Sequence, residues 1–316
     1  EEIQCYDLLN HSLMNKIMKL ENPDFQWLIS QTNEIALYNF SKKHQDILKR
    51  FELTAQVKVF VLFQFQEMIK KTDSRFYSTL QLPSLKECIL KNGLFQEGNE
   101  LPRRLVNGMY PQANLESLTE LVTQALEGPF NNTKKIDKAL KTLNFLAFNI
   151  GVNIGFAELG VWAKMDNETA KRYVELLAKI GYIFILPTYN TRAKYEYVNG
   201  RSVIFADNGC LNFHLQNFNE PSNRLDSERL WMNWVISEKI KADKILQNKN
   251  KYYCWQSHTG QKIDFIIESE TGIKSAFTFN WTRKQKKKTP ALFRSYYPDI
   301  LHTEIDVRNY LNFLNL

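Results

Sequence analysis

Tyr253-Cys254-Trp255-Gln256, Gln261-Lys262-Ile263-Asp264-Phe265 and Phe277-Thr278-Phe279-Asn280-Trp281 are aromatic, β-branched stretches with turn residues between them. They predict strands over 252–256, 262–267 and 273–281. A helix is expected ahead of them, from about Asp226 to Ala242. Behind them the basic tract Arg283-Lys284-Gln285-Lys286-Lys287-Lys288 leads to another helix near Pro290. The C-terminal segment therefore reads as an α/β unit.

Upstream of it, the pattern over 134–206 is mostly helical. One helix covers roughly 136–150 and a second 156–164. Asp166 is placed to cap a third, whose inward face is Ala170, Tyr173, Leu177 and Ile180, and Gly181 stops it. Strands at 182–186 and 203–206 enclose a loop containing Asn199-Gly200. Three short helices and a hairpin make a winged helix, a variant of the helix-turn-helix. Farther upstream, helical patterns at 8–20 and 40–51 alternate with strand patterns at 25–30 and 57–65, which suggests a parallel α/β layer. A helical stretch opens at Pro83 and reaches about Ala125, and Gly128-Pro129 with Asn131-Asn132 forms a linker. The expected organisation is an α/β multidomain chain divided at 1–85, 86–133, 134–206 and 207–316.

Composition narrows the function classes. A chain of 316 residues that is 13% aromatic is long enough, and apolar enough, to fold as two or three globular domains. From Lys239 to Arg294 there are 13 Lys and Arg against 4 Asp and Glu, a net of +9 where the whole chain carries +7. This local excess favours phosphates or acidic partners over a uniformly basic protein, although a solvated basic face would give the same count. Cys5, Cys88, Cys210 and Cys254 form no C-x-x-C pair and no zinc spacing with histidine, which fits a reducing, cytoplasmic compartment. The apolar stretch 143–157 is short and carries Asn144, Asn149 and Asn153, so it is expected in a core and not in a membrane. The first residues do not read as a signal peptide, and the lack of an initial Met points to sequence upstream.

The succession of motifs resembles bacterial and archaeal AAA-type P-loop ATPases that carry a winged helix and a C-terminal PD-(D/E)xK nuclease-like domain of unknown function. The resemblance rests on Phe205-Ala206-Asp207-Asn208-Gly209, on the run Leu230 to Ala242, and on the block Trp255 to Trp281. Tyr6-Asp7-Leu8-Leu9, Pro23-Asp24-Phe25 and Leu105 to Pro111 extend it toward the N-terminus. It implies a partial P-loop-type α/β core over 1–85, a helical lid over 86–133, the winged helix, and a restriction-endonuclease-like α/β domain over 207–316.

The same resemblance shows which reactive residues are replaced. No G-x-x-x-x-G-K-[ST] occurs, and the family places that loop upstream of the position of Tyr6. The family's magnesium-binding Asp-Glu pair, which follows a strand, matches Asn33-Glu34, and a neutral Asn is a poor Mg²⁺ ligand. The next strand ends in Leu62-Phe63-Gln64-Phe65 in place of Thr-Gly-Ser-Ser; Arg75 corresponds to the family's arginine or is a surface residue. At the nuclease motifs the helix Glu is Met232, the strand Glu is Thr278 and the Lys is Asn280, so Asp264 alone remains. Metal-assisted phosphodiester cleavage needs two or three carboxylates and usually a lysine.

The reading this supports is a non-catalytic, DNA- or protein-binding relative that uses no cofactor. Its expected DNA contacts are Asn167, Lys171, Arg172 and Lys179 on the third helix, weakened by Glu168 and Glu175, together with Arg283, Lys284, Lys286, Lys287 and Lys288. Two alternatives stand beside it. One is an Mg-dependent nuclease with migrated residues, Glu228, Asp264 and Lys262 or Lys274, using ATP through an upstream loop. The other is a protein-docking partner, or a homo-oligomer, with no nucleic-acid role. The aromatic set at 252–281 is expected mainly in the core.

Overall fold

The computed structural model describes residues 4–7, 34–38, 58–61, 85–109, 115–127, 129–130, 132–190, 200–283 and 286–316. The fold is mixed α/β. Strands β1 (Gln4–Asp7), β2 (Glu34–Tyr38) and β3 (Lys58–Val61) form a parallel sheet in the order β1-β2-β3. Gln4 pairs with Ile35, and Ile35 with Val59. The parallel layer and the third strand agree with the sequence pattern. The strand that Asn33-Glu34 was expected to follow, at 25–30, lies outside the described residues, and Glu34 opens β2. In open parallel sheets ligands gather at the carboxyl ends of strands, so the backbone of Glu34 lies at the opposite edge. Asn33, Arg75 and the stretches 8–20, 25–30, 40–51 and 62–65 fall outside the described residues.

The helical stretch predicted from Pro83 to Ala125 is three helices: α1 (Leu85–Asn92), α2 (Leu94–Asn107) and α3 (Leu115–Glu127). Gly93 and Gly108, with φ of +83° and +73°, end α1 and α2. Helix α4 (Thr133–Phe148) starts where the Asn132 side chain accepts the Lys135 amide at 2.9 Å. Helix α5 is Phe156–Ala163 and α6 is Asn167–Lys179. Asp166 caps α6 as its sequence predicts, accepting the Thr169 amide and hydroxyl, each at 2.8 Å. Ala170, Tyr173, Leu177 and Ile180 are all buried. Strands β4 (Ile183–Pro187) and β5 (Arg201–Phe205) form the expected antiparallel hairpin, Ile183 opposite Phe205.

After α7 (Asn208–Leu215) comes α8 (Ser227–Ile245), buried on every side from Leu230 to Lys241. A helix of this kind lies in a core, and its buried charges are paired: Lys241 with Glu238 at 2.7 Å and Lys239 with Asp243 at 3.0 Å. It packs on a second sheet made of β6 (Lys251–Gln256), β7 (Lys262–Glu268), β8 (Lys274–Phe279) and β9 (Leu301–Ile305), in that order. The first three are antiparallel to one another, and β8 runs parallel to β9. The crossover between β8 and β9 carries α9 (Ala291–Tyr296), and α10 (Tyr310–Leu314) closes the chain. Phe265, Phe279 and Ile305 pack toward Trp231 and Trp234 of α8, whereas Ile263, Ile266 and Ala276 pack toward Phe293 and Tyr297 beside α9.

The expected boundary at 206/207 lies inside one apolar core that runs from Leu85 to Leu314. A buried polar clasp sits there. Asp207 accepts the amides of Met109 at 2.9 Å and Gly209 at 2.8 Å. A methyl group on Gly108 would come within 2.1 Å of Asp207 Oδ1, so glycine is required. Asn208 donates to the carbonyls of Leu105 and Leu230 at 2.9 and 3.1 Å. Asn233 accepts the Phe205 amide at 2.8 Å and donates to the Phe205 carbonyl and to Asn208 Oδ1 at 3.1 and 2.8 Å. The ends of α2 and β5 and the first turns of α7 and α8 are thereby joined.

Replacing Asn233 with Ala strands three of these buried partners without water. It is expected to cost about 2–4 kcal/mol, measured by urea unfolding. A loss below about 1 kcal/mol would mean that the clasp does not hold α8.

Candidate functional site

Asp264 lies where the four-stranded sheet is irregular. Tyr253 pairs with Ile266 but Trp255 with Ile263, so Asp264 and Phe265 both stand opposite Cys254. Such a bulge re-aims side chains. Asp264 Oδ2 accepts the Phe279 amide at 3.4 Å, just beyond the last paired residues of β7 and β8, Phe265 and Phe277. Lys262 Nζ is 2.9 Å from Asp264 Oδ1, as the two-residue spacing predicts. The two are misaligned for a hydrogen bond, which leaves Oδ1 buried without one.

Thr278, Asn280 and Met232, which the resemblance aligns with reactive groups, are committed elsewhere. Thr278 and Asn280 are buried. The Thr278 hydroxyl bonds His302 Nε2 at 3.0 Å, and Asn280 Nδ2 donates to Glu304 Oε2 at 3.1 Å. Met232 turns toward the loop after α4: a methyl on Gly151, whose φ is +70°, would lie 2.4 Å from Met232 Cε. That leaves the sheet end to Glu228. Its carboxylate accepts the amides of Trp281 and Thr282, each at 2.9 Å, and the Thr282 hydroxyl at 2.8 Å. Lys287 Nζ lies 3.6 Å away. Burial raises the Glu228 carboxyl, but the Thr282 and Trp281 amides, the hydroxyl and Lys287 outweigh burial and hold it below the ordinary glutamate range.

Of the migrated set, Glu228, Asp264 and Lys262 gather near this end, and Lys274 does not. Lys274 lies 3.8 Å from Glu268, and roughly 16 Å of strand separates it from Phe279. His302 and Glu304 were missed because β9 was not predicted. The alternation of Leu301-His302-Thr303-Glu304-Ile305 was the available signal. Thr289 Oγ1 bonds His302 Nδ1 at 3.0 Å. Burial lowers the pKa of His302; Glu304 and Asp264 oppose this, and Arg294 adds to it. The buried His214 is pushed down to about 3 by burial and lies between Tyr182 at 2.8 Å and Asn144 at 2.9 Å, a neutral core histidine.

The donor set does not fit the magnesium site that the resemblance implies. Among the described residues no three His, Cys, Asp or Glu side chains come together in a metal-holding group. Glu228 and Glu304 spend their oxygens on backbone amides, an asparagine and an ammonium.

The second candidate surface is α6. Asn167, Arg172 and Lys179 are exposed and Lys171 is half-buried, with Glu168 and Glu175 exposed among them. In the basic tract Arg283, Lys286, Lys287 and Lys288 are all exposed; Arg283 Nε pairs with Asp306 Oδ2 at 2.8 Å, and Lys287 Nζ lies 3.6 Å from Glu228 Oε2. Lys284 lies outside the described residues.

A family model described as a domain of unknown function (DUF8612) matches residues 98–222. No curated protein matches the chain. The matched stretch runs from α2 through α7 and holds Asp207 and Asn208 of the clasp; the four-stranded sheet lies outside it.

A depressed carboxyl stabilises the fold fully above its unfolded pKa, about 4.3, and that stabilisation is lost as pH falls through the folded value. Glu228→Gln is expected to cost about 1–2 kcal/mol at neutral pH. The gap from wild type should close under acid conditions, followed by urea unfolding across pH. A gap that does not change with pH would contradict the charge-assisted role of Glu228.

Proposed function

We propose that this chain is a non-catalytic, DNA-binding relative of the AAA-type ATPases that carry a nuclease-like domain. In this reading α4, α5, α6, β4 and β5 act as a winged helix, and α6 is the helix that enters a groove. The observation that carries it is the exposed polar face of α6, with Lys171 and Arg172 able to meet phosphates or a guanine edge. The net +9 over 239–294 supports it by long-range attraction. The four-stranded sheet, with helices α8 and α9 on its two faces, supports a restriction-endonuclease-like unit whose acids are now structural. The buried thiols Cys210 and Cys254 fit a reducing cytoplasm. Among the described residues no helix is long and apolar enough to cross a membrane.

A second reading, docking of a protein partner, is favoured by one observation. Phe148, Val152, Val161 and Trp162 are exposed on the same three-helix unit, and exposed large apolar side chains are found at contact sites.

Fluorescence anisotropy with labelled duplex across a salt series tests the DNA reading. Lys171→Glu with Arg172→Glu is expected to weaken binding at least about tenfold and to flatten the salt slope by about 0.9 for each phosphate no longer neutralised. Binding to neither duplex nor single strand, with a stoichiometric protein partner on purification, would replace it with the docking reading.

A further inference from the structure

His214 is a buried titratable group that the winged-helix reading leaves unused. It sits in the last turn of α7 and is 3% exposed. Three elements meet on its imidazole. From α4, Asn144 Oδ1 is 2.9 Å from Nδ1, and from the turn ahead of β4 the Tyr182 hydroxyl is 2.8 Å from Nε2. The rings of Tyr182, Phe205 and Phe213 surround it, with centroids 5.7, 5.9 and 5.3 Å away. Tyr182 is itself tied to the end of β5, because its carbonyl accepts the Ala206 amide at 3.1 Å. Phe205 is the residue whose backbone Asn233 holds.

These partners fix the proton. An amide oxygen only accepts, so Nδ1 carries the hydrogen, and Nε2 of the neutral ring accepts the Tyr182 hydroxyl on its lone pair. The hydroxyl is bonded in turn to the Cys210 thiol. A second proton on Nε2 would set N–H against O–H and place a charge among three rings. Nothing there offsets it. Asn144 is neutral, and burial keeps the Tyr182 phenol and the Cys210 thiol protonated. Asp207 and Lys241 act on Cys210 and not on the imidazole. A buried charge without a partner is strongly disfavoured, and burial pushes the His214 pKa down to about 3.

We infer that His214 is an acid-operated latch: its neutral ring locks α4, α7 and the base of the β4–β5 hairpin together, and a proton on Nε2 opens that junction. The Asn233 clasp lies against it through Phe205, so the seat of α8 loosens with it. A histidine whose folded pKa is depressed contributes stability that is full above its unfolded pKa, about 6.5, and is lost as pH falls toward the folded value. The inference goes beyond the DNA-binding reading and does not rest on it.

The test follows urea unfolding of the full chain at pH 7 and pH 5 for wild type and His214→Gln, since glutamine can accept from Tyr182 and donate to Asn144 without titrating. Between the two pH values the wild-type unfolding constant is expected to rise on the order of 20–30-fold more than that of the variant. Protection of the Phe205 amide from hydrogen exchange should fall with it in wild type and hold in His214→Gln. Parallel pH dependence of the two proteins, or unchanged protection of Phe205 in wild type, would overturn the inference. Nitrogen NMR on wild type decides it independently if His214→Gln does not fold. The folded protein at pH 5 must show a neutral His214 ring with its proton on Nδ1; an imidazolium, or a proton on Nε2 alone, would overturn it.

Discussion

Asn233 fixes the position of α8, and much of the C-terminal half depends on that position. Its amide group bonds both backbone groups of Phe205 and the side chain of Asn208. Sliding α8 by one residue would break all three bonds in a place that water does not reach. The helix then carries its consequences to one end of the sheet, where Phe279 pairs with Ile305. Trp231 Nε1 donates to the Ile305 carbonyl at 3.3 Å. Glu228, one turn earlier, reaches the amides after β8. Met232 is turned to Gly151. The identity of the residue at the sheet end is thus set by a clasp on the opposite side of the helix.

The state of the carboxylates at the end of the four-stranded sheet is physically coherent with the packing that surrounds them. A free carboxylate cluster half out of water would raise its own pKa values or demand a cation. In this chain each acid has been given neutralising company: amides for Glu228, an asparagine and an amide for Glu304, a lysine and an amide for Asp264. Thr278 and Asn280 are not inert fillers. They tie β8 to His302 and Glu304 of the neighbouring strand. This end of the sheet is held by cross-strand bonds.

Local signals were legible in the sequence and non-local ones were not. Asp166 and the inward face of α6 could be read because capping and helical spacing are properties of adjacent residues. The strands at Lys262–Glu268 and Lys274–Phe279 could be read from their aromatic and β-branched content. Strand β2 was not legible, because short apolar runs at 25–30 and at 34–38 have equal claim to be a strand. The breaks at Gly93 and Gly108 interrupt a continuous amphipathic pattern, and Gly108 is explained only by Asp207, far along the chain. The bulge beside Asp264 depends on a partner from another strand. It decides the state of the candidate site, and nothing in the adjacent sequence announces it.

The most direct measurement is phosphodiester cleavage. Wild type incubated with supercoiled plasmid and Mg²⁺ or Mn²⁺ is expected to leave the plasmid intact, because the carboxylates at the sheet end are already bonded within the protein. Metal-dependent nicking by wild type that disappears in Asp264→Ala would contradict a non-catalytic protein and restore the sheet end as a working nuclease site.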